Sequence, residues 1–438
     1  MRTSEPQTKT DTELSEIAWL SSQDHNKVFH SLMHHINVDS LRGCFHKLDG
    51  KKALGTDRIS KAMYEEKLQD NLDNLIIRMK RMGYRPQPVR EVRIPKEGKP
   101  GVTRPLGISN FEDKLVQKRM QELLESIYDP TFVEWSYGFR PNKGAHDAIK
   151  ALSNHLYRNE VEIVIDVDLE NFFGTINHDR LKELLSLKIK DMKFMRYLSR
   201  MFKAGVLSNG DLLVSEEGVP QGSCCSPVLA NVYAHYVIDE WLEDTVKPLM
   251  EGKMQPFRYA DDLIICFRHE RDAMRVRQAL TKRLEKYGLR LNEDKTKMVK
   301  FSKTAQRKGE KQEVFDFLGF TLYLGKSLSG VIIPKLKTEG KRFRTKLQRI
   351  KTWFREKRNE VPTVALWKTF CAKLRGHAQY YGVSHNCRRV EEFIAQARRI
   401  AFKWLNRRSQ RRSFDWSKFE RFLKVYPLPK VKVCHKLF

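Results

Sequence analysis

The sequence predicts an α+β fold: a sheet backed by helices, followed by a strongly basic helical segment. Three observations carry this. Short runs rich in β-branched and aromatic residues alternate with segments of helical period, without the regular strand–helix–strand repeat of a parallel sheet. The stretch Phe257-Arg258-Tyr259-Ala260-Asp261-Asp262-Leu263-Ile264-Ile265-Cys266-Phe267 reads as strand, tight turn and strand, with two adjacent acids at the turn. Residues 331–438 hold 29 Lys and Arg against 7 Asp and Glu, a charge of +22 out of +28 for the whole chain.

The elements follow in order. Residues 1–35 are polar with weak helical patterning, and are expected as an N-terminal extension. A helix is expected over 36–54, ending near Asp49-Gly50, and another over 60–83, where Met63, Leu68, Leu72, Leu75, Ile76 and Met79 recur at helical spacing. Pro86 and Pro88 stop that pattern, and Val89–Ile94 alternates like a strand. A glycine- and proline-punctuated hairpin follows, with Lys96 on its entry and Arg104 on its exit, where both cations could lie over one anionic group or simply form a solvated basic hairpin. Helices are expected over 111–128 and 144–157, separated by the aromatic turn Trp135–Asn142. The apolar run Val161–Leu169 reads as a buried strand that ends in Asp166 and Asp168, which share one face. Helices over 178–189 and 190–204, the rigid turn Glu217–Ser223, and a helix over 228–243 begun by Ser226-Pro227 precede the acidic hairpin. A helix over 271–287 and a strand at 315–320 come after it. In the tail, Phe343, Leu347, Ile350 and Phe354 form one helical stripe, and Val390, Phe393, Ile394, Ala397, Ile400, Ala401 and Trp404 another. The composition shift at 325–330 is the expected domain boundary, separating 36–325 from 331–438.

Composition narrows the function. With 40% hydrophobic residues the chain can build real cores, and 82 basic residues against 54 acidic ones point to a polyanionic partner. No window approaches the roughly 18 uninterrupted apolar residues of a membrane span, so no transmembrane span is expected. The polyanion is nucleic acid or an anionic membrane surface, of which nucleic acid and no membrane is the expected partner. Residues 1–16 are polar and contain acids, unlike a signal or transit peptide. The seven cysteines form no Cys-x-x-Cys pair, which fits reduced thiols in a cytoplasm and offers no zinc site.

Two neighbouring acids at the lip of a sheet repel each other and lose hydration unless a cation joins them. Asp168, closing its own apolar strand, supplies the partner that Asp261 and Asp262 need to hold a divalent ion. Oxygen-only ligation suits Mg²⁺, which takes its remaining ligands from water and substrate phosphates.

Taken together, these segments resemble the group II intron-encoded reverse transcriptase/maturase family. The likeness rests on Arg104-Pro105-Leu106-Gly107-Ile108, Ser136-Tyr137-Gly138-Phe139-Arg140-Pro141, Asp168-Leu169-x-x-Phe172-Phe173, Pro220-Gln221-Gly222-x-x-x-Ser226-Pro227, Tyr259-Ala260-Asp261-Asp262 and Phe317-Leu318-Gly319-Phe320, in the family's order over about 40–325. In the tail, Leu374-Arg375-Gly376-His377-x-x-Tyr380-Tyr381-Gly382 and Phe402–Arg408 look like the thumb or maturase X region. The resemblance implies a right-hand polymerase, with fingers and an antiparallel palm sheet followed by an all-α thumb. It implies two Mg²⁺ (or Mn²⁺) on Asp168, Asp261, Asp262 and the Leu169 carbonyl. Lys96 and Arg104 would clamp the incoming triphosphate, Gln221 would contact the nucleotide, and Lys295 would lie near the triphosphate. Phe173 would block a ribose 2′-hydroxyl, and Leu318-Gly319 would grip the primer end. The implied partners are an RNA template, a DNA primer, dNTPs and a structured intron or other non-coding RNA, in a bacterial cytoplasm. Arg342, Arg344, Lys346 and Arg349 are the tail cations expected on RNA backbone phosphates.

The chain also departs from the family pattern. Ser223-Cys224-Cys225 replaces a glycine- and aliphatic-rich run, and no Cys/His cluster follows the last tail helix, so a zinc-bearing endonuclease module is not expected. Asp166 is expected to be structural. Gln221 and Pro227 argue against the diversity-generating branch. The implied activity is RNA-directed DNA synthesis joined to intron RNA binding, splicing and retrohoming. The alternative within the same chemistry is a host-recruited enzyme of antiphage defence, CRISPR spacer acquisition or repair. A maturase acting only as an RNA-binding splicing factor would have no use for the acid cluster, and an RNA-synthesising polymerase would be obstructed by Phe173.

Overall fold

The computed structural model describes residues 9–95, 101, 103–208, 211–213, 217–218, 222–408 and 414–437. In chain order the strands are β1 (Val89–Pro95), β2 (Thr103–Ile108), β3 (Ile163–Val167), β4 (Val206–Ser208), β5 (Asp211–Leu213), β6 (Met254–Tyr259), β7 (Asp262–Phe267), β8 (Lys297–Lys300), β9 (Phe315–Phe317), β10 (Phe320–Lys326) and β11 (Ile332–Thr338). They form sheets ordered β2-β1-β4-β5, β6-β7-β3-β8 and β11-β10-β9. With helices throughout, this is an α+β protein. The chain divides into two compact units, one of residues 1–144, 167–263 and 274–296, the other of 145–166, 264–273 and 297–438.

The first unit is built around the helix Phe111–Tyr128, whose Leu115, Val116, Met120, Leu123, Leu124 and Ile127 are all buried. Residues 9–23, expected only as part of a polar extension, form a helix packed against it. Ile17 is buried there, and Ser21 Oγ donates to the Ile127 carbonyl at 2.5 Å. The apolar positions are too few for a strong periodic signal, so tertiary packing decides this helix. The helix expected over 60–83 is two, Lys61–Glu65 and Leu68–Lys80. Strands β1 and β2 form the expected antiparallel hairpin, with Ile94 opposite Arg104. The helix expected over 228–243 is α-helical only over Ser226–Ala234, then widens into π turns at His235–Asp239 and Trp241–Val246. Such widening tends to mark functional places. Here it accompanies a fully buried Asp239.

In the second unit the helices Gly340–Lys357, Thr363–Tyr381, Cys387–Leu405 and Trp416–Val425 bury the stripes read from the sequence, including Phe343, Leu347, Ile350, Phe354, Val390 and Phe393. One expectation needs correction: the segment from 331 is not wholly helical. It opens on β11, where Ile332, Leu336 and Thr338 are buried at period two. The composition shift at 325–330 falls in the turn of the β10–β11 hairpin, and both arms belong to the same unit. The basic composition therefore starts within the hairpin.

His377, on the helix Thr363–Tyr381, is buried and stacks on Phe393 at 3.6 Å, and neither ring nitrogen finds a hydrogen-bond partner. Burial, helped by nearby Lys346, holds its pKa down at about 3. The unfolded chain therefore takes up a proton below pH 6.5 that the folded chain refuses until about pH 3, so acid destabilises this unit. The His377→Phe variant keeps the stack and removes the titration. Wild-type stability is expected to fall by about 2 kcal/mol more than the variant's between pH 6.5 and pH 5, read by urea melts at both values. Parallel losses would contradict this.

Candidate active site

The acids expected at the centre of the chemistry come from two strand ends. Strand β7 lies beside β3. At one end of the pair the Glu162 N–H donates to the Phe267 carbonyl at 2.9 Å, which makes the strands antiparallel. Carried six residues on, one past the end of β3 and one before the start of β7, that register would align Asp168 with Asp261. Asp262 follows as the first residue of β7. All three acids belong to the first unit. Both hairpin acids are exposed, and the Asp168 side chain is 38% exposed. Asp166 stays inside β3, opposite Lys297 of β8.

The backbone around Asp168 is fixed from several sides. Its carbonyl accepts from Asn292 N–H at 2.8 Å, its own N–H donates to Thr296 Oγ1 at 3.3 Å, and Leu169 forms a bridge with Leu291. Lys295 Nζ donates to Asp168 Oδ1 at 2.6 Å. The lysine expected near a triphosphate thus meets the carboxylate where a cation belongs. Among the described residues no three His, Cys, Asp or Glu side chains stand close enough to hold a metal by themselves. The donor set nonetheless fits magnesium, which commonly binds through one or two carboxylates and completes its shell with water and substrate phosphate.

The acidic hairpin turns through Ala260-Asp261, and Ala260 has φ +58°. Glycine usually occupies that place in a two-residue loop. An alanine there costs about 1–2 kcal/mol of backbone strain, so something must hold it. Arg258 does, and sequence reasoning missed it. Its guanidinium is buried and spends all five N–H donors: Nε on Asp239 Oδ1 at 2.7 Å, Nη1 on Asn231 Oδ1 at 3.1 Å and the Ala260 carbonyl at 3.0 Å, Nη2 on Ser136 Oγ at 2.8 Å and on Asp239 Oδ2. A charged residue inside an otherwise apolar strand was the signal available. The Ser136-Tyr137-Gly138 turn joins the same assembly. Tyr137 N–H donates to the Arg258 carbonyl at 2.9 Å, and Asn231 Nδ2 donates to the Gly138 carbonyl at 2.7 Å.

The other expected residues fall as follows. Lys96 and Gln221 lie outside the described residues. Arg104 is exposed on β2. Phe173 is half-buried, edge-on to Phe139 at 6.1 Å and to Phe172 at 5.6 Å. Leu318 and Gly319 form the β9–β10 turn in the second unit, both with positive φ, and Tyr380 Oη donates to the Leu318 carbonyl at 2.9 Å. The four tail cations divide. Arg344 and Arg349 are exposed, whereas Arg342 meets Glu339 at 3.0 Å and Lys346 lies over the Tyr381 ring at 4.5 Å. The first unit also carries a cavity of about 510 Å³ with apolar walls and lysines at positions 47, 52, 61, 114 and 118. Sequence reasoning did not single it out. Lys114 and Lys118 sit one turn apart, which is the only pattern that could have shown it.

Comparison with known proteins bears directly on this arrangement. Residues 94–322 match the family described as reverse transcriptase (RNA-dependent DNA polymerase). The chain is 34% identical over 223 residues to the group II intron-encoded protein LtrA of Lactococcus lactis subsp. cremoris, covering 51% of this chain and 37% of LtrA. It is 30% identical over 279 residues to protein YkfC of Escherichia coli K12, covering 57% of this chain and 73% of YkfC. A 29% identity over 131 residues relates it to nuclear intron maturase 3, mitochondrial, of Arabidopsis thaliana, covering 29% of this chain and 18% of that protein. The chain therefore matches less than two thirds of LtrA's length. Among the described residues, no helix is long and apolar enough to cross a membrane.

Proposed function

The chain belongs to the reverse transcriptase (RNA-dependent DNA polymerase) family, and from that premise we propose that it copies RNA into DNA and binds a structured intron RNA whose splicing and mobility it supports. The observation that supports the reading is the antiparallel β3–β7 pair, whose register, extended past both strands, would align Asp168 with Asp261, with Asp262 adjoining. In this reading residues 36–325 supply fingers and palm, and the helices after β11 are the thumb, or maturase X region.

Reverse transcriptases depend on divalent metal, and here Asp168, Asp261, Asp262 and the Leu169 carbonyl would hold two Mg²⁺, or Mn²⁺ in its place. When bound, these ions lower the pKa of the primer 3′-hydroxyl and neutralise the leaving pyrophosphate. Lys295, now paired with Asp168, swings to the triphosphate when dNTP binds. Arg104, with Lys96, grips the same phosphates, and Gln221 contacts the nucleotide. The lysine-rimmed cavity takes the backbone of the template strand. Leu318-Gly319, anchored by Tyr380, holds the primer end.

Primer extension on poly(rA)/oligo(dT) with Mg²⁺ and dTTP tests the reading: the purified protein should extend the primer, and failure with Mg²⁺ and with Mn²⁺ would overturn it. Phe173→Val should raise ribonucleotide incorporation at least tenfold relative to dNTP, because the ring edge no longer meets the 2′-hydroxyl; an unchanged ratio would remove Phe173 from that role. In the tail, replacing Arg344 and Arg349 with alanine should weaken RNA binding and lower the slope of log K against log salt by about 1–2. Replacing Arg342, already paired with Glu339, and Lys346, over the Tyr381 ring, should lower that slope less. Filter binding across a salt series separates the two pairs.

A further inference from the structure

We infer that Arg258 is a positioning residue that fixes the acid-bearing hairpin loop for metal binding, acting through the Ala260 carbonyl. The inference rests on the polymerase reading above. Asp261 on the two-residue loop and Asp262 at the start of β7 are exposed carboxylates, and the extended register would align Asp168 with Asp261. Lys295 already offsets the charge of Asp168, but the two neighbouring hairpin carboxylates still repel each other when no cation is bound. The same loop carries a residue, Ala260, in the left-handed region without the freedom of glycine. Both effects favour a relaxed, displaced loop. The opposing contact is the 3.0 Å hydrogen bond from Arg258 Nη1 to the Ala260 carbonyl.

The guanidinium can act as a fixed post because nothing about it is adjustable. Its side chain and that of Asp239 are 1% and 0% exposed. The two-pronged contact with Asp239 sets the plane of the fork, and Asn231 and Ser136 take the donors that remain. If the pair served the core alone, the donors on Asp239 would suffice. Instead one donor goes to the loop backbone, and Asn231 also ties in the Gly138 carbonyl on the loop's other flank. A lysine has three donors and no fork, so it cannot satisfy five acceptors at once.

The test uses the full chain with Arg258→Lys, and with the paired change Arg258→Met/Asp239→Leu, which removes both buried charges so that none is left alone. Thermal melts establish folding. Amide exchange by mass spectrometry, without metal or nucleotide, is read on peptides covering residues 257–264 and compared with the rest of the chain. In wild type that segment should rank among the slow-exchanging ones; exchange as fast as an exposed loop overturns the inference with no variant needed. In a folded variant it should exchange at least tenfold faster, with other peptides unchanged. The Mg²⁺ concentration for half-maximal primer extension should rise at least fivefold, and kcat should fall more than KM for dTTP rises. Faster exchange everywhere, or unchanged local exchange with an unshifted Mg²⁺ requirement, reduces Arg258 to a core ion pair and overturns the inference. If wild type extends no primer, the polymerase reading fails, and the exchange data still decide whether Arg258 holds the loop.

Discussion

Asp261→Ala is expected to abolish Mg²⁺-dependent extension of a DNA primer on an RNA template, by at least about 10³-fold in kcat, while RNA binding stays within about twofold. Removing groups that only orient a metal ligand costs about 10–100-fold, and removal of a direct ligand should exceed that. Asp261 is exposed and lies on a loop, so its loss creates no cavity. The melting temperature should therefore hold or rise slightly, since one like charge near Asp168 and Asp262 is gone. On the proposed reading RNA affinity would come from cations elsewhere, among them the exposed Arg344 and Arg349. Single-nucleotide incorporation and filter binding on one preparation check both halves. Residual extension within tenfold of wild type would contradict the assignment of Asp261.

The second large effect is expected from one methyl group. A Cβ on Gly138 would lie 2.9 Å from the Tyr259 carbonyl carbon and 3.0 Å from Ala260 Cα, and closer still to the Ala260 nitrogen. All of these are backbone atoms of the acidic hairpin, so no side chain can rotate to make room. In Gly138→Ala the hairpin and the 136–138 turn must separate, against the hydrogen bonds from Tyr137 to Arg258 and from Asn231 to Gly138. Overpacking of this kind costs about 1–3 kcal/mol, and the displaced loop carries Asp261. Extension should fall by about 10²-fold or more, with a melting temperature several degrees lower. A variant that melts and extends like wild type would show that the two backbones do not touch in solution.

Much of this site was legible before any coordinates. The strand–turn–strand reading of 257–267 follows from apolar runs on either side of two acids, and β6 and β7 lie where that pattern puts them. The buried strand ending at Asp168 was legible for the same reason. What joins them is not local. Any alignment of residues 168 and 261 depends on sheet order, which no short window of sequence contains. Arg258 escaped notice because periodicity treats a charge inside a strand as a solvated face, whereas its partners Asp239, Asn231 and Ser136 are 19, 27 and 122 residues away. The tail cations differ in surroundings that sequence does not show. Four basic residues at helical positions looked alike in sequence, but Arg342 and Lys346 face Glu339 and Tyr381, and only packing distinguishes them from Arg344 and Arg349.

The central claim is that Asp168 and Asp261, remote along the chain, serve one and the same cation. Equilibrium Mn²⁺ titration followed by electron paramagnetic resonance, on wild type, Asp168→Ala, Asp261→Ala and the double variant with template–primer bound, measures that directly. Each single change should remove the tight site, and the double variant should lose nothing more. Independent, additive losses from the two substitutions, or a tight site untouched by either, would contradict it.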